Sequence, residues 1–230
     1  LWISKGDITL RSLRGGGEVT TPIMTDKEEN WRELAKIIDF LKKNAADMSH
    51  NAGGHIHVGA SPLGADVEKW RQYLKFYMLY EKVLYRFFLG DKIGPRDSQR
   101  GCAVLIARDL YRGLEVINSA SSLGDILAIL PIRKCQYLNF CNLYDSFARN
   151  AINTLEFRGP NASDDKVIYQ NNVNAITKME LAVVQGFVDE DFLDYCLKEE
   201  AHEFPNFYFY DLYSEINLRK GLEFVDIVFD

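Results

Sequence analysis

One segment constrains the fold more than any other: residues 66–89 carry a broad stripe of apolar side chains at helical spacing. The stripe consists of Val67, Trp70, Leu74, Tyr77, Met78, Leu84 and Phe88. This spacing predicts a long helix, and the charged stretch 90–101, broken by glycine and proline, predicts a loop after it. Because 47% of the 230 residues are hydrophobic, the chain can bury most of its apolar surface in a compact globule.

Shorter patterns predict further elements before this helix. Residues 8–13 and 18–21 alternate or resemble strands, and the turn between them contains Gly15, Gly16 and Gly17. The sequence Thr25-Asp26-Lys27-Glu28 is a capping-box pattern, and apolar residues at helical spacing follow it. We therefore expect two short strands around a glycine turn, and then a helix that runs to about Lys43.

Two more strands are predicted by alternation, over residues 53–60 and 152–158. Ser163 is a candidate cap for a helix that continues towards Phe187, and residues 103–133 have a mixed pattern. The elements lack the regular strand-helix alternation of a doubly wound parallel sheet. An α+β fold follows, with a mostly antiparallel sheet packed with helices.

Composition argues against several classes of protein. The formal net charge is -6 with no block of like charge, which disfavours broad nucleic-acid binding. The four cysteines have no metal-type spacing, which favours reduced thiols. No stretch approaches the roughly 18 apolar residues of a membrane span, and the N-terminus lacks a signal-peptide layout. We expect a cytoplasmic protein without a membrane or nucleic-acid partner.

The segment 53–59 carries the first candidate site. Alternation places His55 and His57 on one face of a strand, where they could share a metal, a phosphate or a substrate. Histidine pairs also occur as hydrogen-bonded surface or core residues, so that reading stays open. Gly53 and Gly54 would let the backbone approach a ligand closely, although a tight turn also explains them.

A second polar pair lies far downstream. Glu156 and Arg158 share one face of the predicted strand 152–158, either as part of a site or as an ion pair. Glu18 follows three glycines and could project from a strand end into a cleft, or could be an ordinary turn residue. We predict that His55, His57, Glu156 and Arg158 line one polar site.

These segments together resemble the amidoligase family. The resemblance is carried by Gly-Gly-His-Ile-His-Val-Gly-Ala-Ser at 53–61 and Asn-Thr-Leu-Glu-Phe-Arg at 153–158, and it extends in motif order over roughly 15–180. The family comprises carboxylate-amine ligases related in fold to glutamine synthetase and glutamate-cysteine ligase. The resemblance implies a ligase-like catalytic domain over residues 1–190, with residues 191–230 as an appendage packed on it.

The resemblance also implies an activity and roles for the site residues. The activity would be ATP- and Mg²⁺-dependent formation of an amide or peptide bond between a carboxylate and an amine, through an acyl phosphate. Glu18, His55 and Glu156 would be the metal ligands. His57 and Arg158 would contact nucleotide phosphates or the acyl phosphate and act in catalysis, with Gly53 and Gly54 also at the nucleotide.

The sequence departs from the family pattern in two places. The family usually opens with a Gly-x-Glu-x-Glu strand, which nothing before Gly15 supplies, so we expect an N-terminal strand to be missing. After Arg158 the family commonly continues with a histidine and a Gly-Thr, whereas this chain reads Gly-Pro-Asn-Ala at 159–162. Two alternatives remain: a non-catalytic nucleotide-binding or interaction module, and a zinc hydrolase built on His55, His57 and Glu156.

Overall fold

A computed structural model of the chain describes residues 1–6, 16–46, 52–89, 110–129, 137–143 and 153–203. The strands in these residues are β1 Ile3–Gly6, β2 Gly17–Thr20, β3 Ile56–Gly59, β4 Leu138–Asn139 and β5 Thr154–Phe157. The helices are α1 Glu28–Lys43, α2 Val67–Leu89, α3 Leu110–Ser119, α4 Leu123–Ile129, α5 Lys166–Val184 and α6 Glu190–Glu203. The predicted α+β class, with small antiparallel sheets and several helices, is confirmed.

Helix α2 is the centre of the hydrophobic core. It packs against α3, α4, α5 and α6, and its side chains Trp70, Leu74 and Tyr77 are almost fully buried. Leu193 and Leu197 of α6 belong to the same buried cluster. Beside them Lys75 of α2 is also buried, and it forms ion pairs with Glu190 at 2.5 Å and Asp194 at 2.7 Å. The apolar stripe in the sequence thus identified the helix on which the described core is built.

The larger sheet has three antiparallel strands in the order β3-β5-β4. Its apolar face includes Ile56, Leu155 and Phe157, and the Phe157 ring lies edge-on to Tyr77 of α2 with ring centres 6.1 Å apart. Because side chains alternate across a strand, the polar residues of β3 and β5 are on the other face. Packing of the apolar face against α2 therefore fixes which side chains the sheet presents on its far side.

The smaller sheet is the antiparallel pair β1 and β2. The Trp2 indole nitrogen donates to Glu33 Oε2 at 3.3 Å, which connects this pair to α1. The second predicted strand of the glycine turn is confirmed as β2. The first was predicted over residues 8–13, which lie outside the described residues, and the partner that the structure shows is Ile3–Gly6.

Two predicted helix caps are wrong. Helix α1 begins after Lys27, and the Asn30 amide instead donates to the backbone and hydroxyl oxygens of Thr25, so Thr25 forms no capping box. Helix α5 is capped by Asp165, whose carboxylate accepts from Val167 N at 2.8 Å. The Ser163 hydroxyl accepts from Asp165 N and so forms the turn before the cap. In both cases the hydroxyl of the predicted cap accepts a hydrogen bond from a nearby residue and does not cap the helix.

Several other predictions can be compared only in part. Of the mixed region 103–133, residues 110–129 are described, and they form α3 and α4. The predicted loop 90–101 and the chain beyond Glu203 lie outside the described residues. Of the four cysteines, Cys141 and Cys196 lie in the described residues, where both are partly exposed, and their reduced state stays a prediction. None of the helices that are described is long and apolar enough to traverse a lipid bilayer.

Candidate active site

Strand pairing brings the sequence-predicted polar residues together. His57 of β3 lies opposite Glu156 of β5, and Glu156 lies opposite Asn139 of β4. The three side chains therefore form a row across the polar face of the sheet, at right angles to the strands. His55 precedes β3 by one residue, and its Nδ1 lies 3.5 Å from Glu156 Oε1. This row is the centre of the candidate site.

Glu156 is a nearly buried carboxylate, 7% exposed, with donors on both oxygens. Its Oε1 accepts from Arg158 Nη1 at 2.5 Å, and its Oε2 accepts from Asn139 Nδ2 at 2.6 Å. The Nε2 atom of His57 lies 3.8 Å from the same Oε1. A buried carboxylate is stable only with such partners, and removal of one of them leaves a charge uncompensated. The geometry therefore confirms that His55, His57, Glu156 and Arg158 are close together.

Asn139 is a site residue that the sequence did not reveal. Its Oδ1 accepts from Cys141 N at 2.9 Å, which orients the amide so that Nδ2 points to Glu156. The strand that carries it has two residues, too few to show a period in the sequence. The only available signal was a single polar residue between the apolar Leu138 and Phe140.

Asn142 and Thr154 determine the proton on His57. Asn142 Nδ2 donates to Thr154 Oγ1 at 3.1 Å and lies 3.3 Å from His57 Nδ1, while Thr154 Oγ1 lies 3.2 Å from that same nitrogen. With the Asn142 amide nitrogen towards His57, its N–H donates to Nδ1, and we expect the proton of neutral His57 on Nε2. That Nε2–H faces Glu156 across the 3.8 Å gap, so it can donate to an oxygen of a bound anion.

Arg158 is the strongest cationic group at the site. Its backbone N–H donates to Tyr137 O at 2.6 Å, which ties the end of β5 to the segment before β4. Its guanidinium is three-quarters buried and reaches back to Glu156 along the same face. A guanidinium carries five donors in a plane, so one of them can hold Glu156 while others meet a phosphate or carboxylate.

Gly54 lies in close contact with another segment of the chain, the one that follows β5. Gly54 N donates to Pro160 O at 2.9 Å, and Gly53 forms an isolated bridge with Asn161. A Cβ on Gly54 would lie 3.0 Å from Asn161 O and 3.0 Å from the Tyr169 ring. The glycine is therefore needed to bring the start of β3 against the segment after β5. Contact of Gly53 and Gly54 with a nucleotide stays a prediction.

Glu18 is placed differently from the other predicted site residues. It lies on β2, in the two-stranded sheet, and forms an ion pair with Lys5 at 3.2 Å. The Thr20 hydroxyl also donates to its Oε1 at 3.4 Å, and the Glu18 side chain is 44% exposed. The described contacts thus assign Glu18 to the hairpin, while its role as a metal ligand stays a prediction.

The donor groups of the described residues suit a magnesium ion that takes its other ligands from a nucleotide and water. Within the described ranges, no three His, Cys, Asp or Glu side chains are arranged to hold a metal ion, so the zinc site considered from the sequence is not formed there. Magnesium needs oxygen ligands, commonly one or two carboxylates with phosphate oxygens and water completing the set. Glu156 supplies one carboxylate. The residues therefore suit a magnesium ion that arrives with nucleotide phosphates.

Comparison with known proteins supports the resemblance to the amidoligases. The family model described as "Putative amidoligase enzyme" matches residues 11–93. The match includes β2, α1, β3 and α2, and so it contains Glu18, His55 and His57. Glu156 and Arg158 lie beyond it, and strand pairing connects them to the matched part. Searches of the curated proteins and of the solved structures gave no significant match.

Proposed function

We propose that the chain is an ATP- and Mg²⁺-dependent carboxylate-amine ligase, which forms an amide or peptide bond through an acyl phosphate. One arrangement carries the proposal: Arg158 and the Nε2–H of His57 flank the nearly buried carboxylate of Glu156 on the polar face of a sheet. The family match over residues 11–93 supports a ligase. We further propose a glutamine-synthetase-like sheet, a catalytic domain over residues 1–190 and a cytoplasmic location, where ATP is present.

In this proposal Arg158 binds the anions. An ATP-dependent ligase must hold the substrate carboxylate and the γ-phosphate close to each other, and both are oxyanions that repel. The planar guanidinium of Arg158 can bond two oxygens at once, and His57 can add a neutral N–H donor. The two donors flank Glu156, so an anion that both of them hold would lie over the Glu156 carboxylate. A cation between the anion and the carboxylate is then required to offset their repulsion.

Glu156 would hold that cation. Among the described residues, its side chain offers the one carboxylate beside the two histidines, and His55 Nδ1, 3.5 Å away, offers a nitrogen ligand that magnesium accepts less readily than oxygen. When bound, magnesium would neutralise charge on the transferring phosphoryl group. Glu18, bonded to Lys5, carries no part of this argument. The Asn139 amide fixes Glu156 Oε2, so Oε1 is the oxygen that can turn from Arg158 to the metal.

The chemistry then needs two substitutions. A carboxylate oxygen of the first substrate attacks the γ-phosphorus of ATP, the bond to the β-phosphate oxygen breaks, and ADP leaves. The amine nitrogen of the second substrate attacks the acyl carbonyl, inorganic phosphate leaves with the C–O electron pair, and the nitrogen loses a proton. Arg158 would hold phosphoryl oxygens through both steps, and correct alignment of two bound reactants can lower such barriers by about 7 to 11 kcal/mol at the favourable limit.

The direct test is ADP release by the full chain with ATP, Mg²⁺ and a panel of carboxylates and amines. Glu156→Gln should abolish ADP release, whereas Glu29→Gln, a matched change at an exposed position of α1, should leave it unchanged. Arg158→Lys keeps the charge but loses the planar donor pair, and turnover should fall by about 100-fold, or about 2.7 kcal/mol. Undiminished turnover in Glu156→Gln would refute the assignment.

A non-catalytic nucleotide-binding or interaction module is the second candidate. It is favoured by one observation: among the residues that the structure describes, Glu156 is the single carboxylate in contact with His55, His57 and Arg158. A thermal-shift measurement separates the two. Stabilisation by ATP with Mg²⁺ but no ADP release with any substrate pair would favour the module.

A further inference from the structure

A buried polar pair lies in the interface between α2 and α5. Tyr73 of α2 is 0% exposed, and Glu180 of α5 is 4% exposed. The Tyr73 hydroxyl oxygen and Glu180 Oε1 are both shielded from solvent, and neither atom has a hydrogen-bond partner among the described residues. Buried polar atoms are nearly always bonded to protein or to ordered water, so two such atoms in one interface require an explanation.

The two groups act on each other electrostatically. Burial first, and the negative charge of Glu180 in addition, hold the pKa of the Tyr73 hydroxyl well above its usual value. Burial also raises the pKa of the Glu180 carboxyl to about 7. Tyr73 and Glu180 are therefore neighbours across the two helices, although the hydroxyl and Oε1 are not bonded to each other directly.

Apolar side chains pack beside the pair. On α5, Ile176 and Met179 lie within about one turn of Glu180, and both belong to the buried core. On α2, the Tyr73 ring lies edge-on to Trp70, with ring centres 6.3 Å apart. Packing of the ring limits where its hydroxyl can point, and apolar neighbours cannot bond either oxygen.

One water molecule has the donors and acceptors that both atoms need. It can accept a hydrogen bond from the Tyr73 hydroxyl and donate one to Glu180 Oε1. A metal ion fits less well, because one carboxylate and a neutral hydroxyl are too few ligands for it. In the part of the chain that the structure describes, no three His, Cys, Asp or Glu side chains are grouped to hold one. The chemistry of the pair therefore favours water.

We infer that the interface between α2 and α5 contains a binding site for one ordered water molecule, which bridges the Tyr73 hydroxyl and the Glu180 carboxyl. The inference does not depend on the proposed ligase activity. The bridge would fix the spacing of two helices that both contact the larger sheet, α2 through Tyr77 against Phe157 and α5 through its contact with β3. The water would thus be part of the packing that holds this sheet in place.

Tyr73→Phe distinguishes a bridged hydroxyl from an unbonded one. Thermal melts of the full chain at pH 8, where Glu180 is largely ionised, should show a fall in melting temperature of about 2–4 °C, the cost of one lost hydrogen bond in a chain of this size. Removal of an unbonded buried hydroxyl would instead raise the melting temperature, because it relieves a desolvation cost. Tyr195→Phe, the matched change at an exposed position of α6, should have no effect. A rise or no change in Tyr73→Phe would overturn the inference.

The same change in a Glu180→Met background tests whether Glu180 is the other end of the bridge. Methionine is similar in length to glutamate but does not hold a water as a carboxyl does, so Tyr73→Phe should no longer lower the melting temperature there. An equal fall in both backgrounds would show that the Tyr73 hydroxyl bonds to a different group, and the inference would be wrong.

A crystal structure of the full chain, at a resolution where ordered waters are visible, detects the water directly and needs no variant. A water oxygen should lie about 2.5 to 3.0 Å from both the Tyr73 hydroxyl oxygen and Glu180 Oε1. A direct bond between Tyr73 and Glu180, or a protein side chain in the place of the water, would contradict the proposed site.

Discussion

Asn139 Nδ2 donates to Glu156 Oε2 at 2.6 Å, across the neighbouring strands β4 and β5. Both side chains are nearly buried, and the Asn139 amide is itself held by Cys141 N. The Asn139 amide is one of the two close donors that replace water around the Glu156 carboxylate, and Arg158 is the other. The stability of the site therefore depends on a residue that need not touch a substrate.

Asn139→Ala should destabilise the protein by about 1–3 kcal/mol, the usual cost when a buried charged group loses a hydrogen-bond partner. Urea unfolding would measure it. A double-mutant cycle with Glu156→Gln provides the control, because a direct interaction should make the two losses non-additive by at least about 0.5 kcal/mol. Strict additivity would show that the Asn139 amide does not support the Glu156 carboxylate.

Gly159 should be intolerant of a side chain. A Cβ there would lie 2.6 Å from the Tyr137 ring and 2.9 Å from the Phe88 ring, both of which are buried. Gly159→Ala should cost about 1–3 kcal/mol through overpacking. Gly6→Ala is the matched control, since no atom of the described part of the chain lies within 4 Å of a Cβ there, and it should change the free energy of unfolding by less than about 0.5 kcal/mol. Equal effects of the two changes would contradict the packing described for Tyr137.

Glu180 should make stability depend on pH. Burial raises the pKa of the Glu180 carboxyl from 4.5 to about 7, and its buried Oε1 has no hydrogen-bond partner among the described residues. A carboxyl whose pKa is higher in the folded than in the unfolded state favours folding in its protonated form. Its contribution is therefore fully present below pH 4.5 and is lost as the pH rises through about 7.

Glu180→Gln should abolish this dependence. The variant should melt at a higher temperature than the parent protein at pH 8 and at a similar temperature at pH 5, because glutamine has no charge to bury. Thermal melts across that interval would measure the difference. Glu199→Gln, at an exposed position of α6, should retain the parent profile. An unchanged profile in Glu180→Gln would show that another group titrates.

The sequence predicted which polar residues share a face at the candidate site because the alternation of side chains along a strand is a local property. Alternation alone placed His55 and His57 on one face, and Glu156 and Arg158 on one face, and these relationships need only the backbone of each strand. The pairing of the two strands is a tertiary contact between residues about a hundred positions apart. It was anticipated through the order of motifs in a family, since no local pattern encodes it.

Sequence analysis missed features for which the local sequence is compatible with more than one structure. Serine and aspartate are both common helix caps, so the sequence does not decide between Ser163 and Asp165, and the helix begins after Asp165. Asn139 and Asn142 lie in a segment whose strand is two residues long, where no period can be detected. Glu18 has the context of a strand end, but its place depends on its pairing with Lys5, which the sequence does not specify.

The neutral tautomer of His57 is open to direct measurement. Because the Asn142 amide nitrogen lies 3.3 Å from His57 Nδ1, we expect that atom to accept and the proton to be on Nε2. Two-bond ¹H–¹⁵N correlation spectra of the imidazole at a pH where it is neutral should therefore show a protonated Nε2. A protonated Nδ1 would mean that the Asn142 amide has the opposite orientation, with its oxygen towards His57. In that case His57 would present a lone pair at Nε2, and it could accept a proton at the site where we expect it to donate one. Asn142→Ala with Thr154→Val should release the constraint and give a mixture of tautomers, while Asn30→Ala, at a remote asparagine of α1, should leave the parent spectrum unchanged.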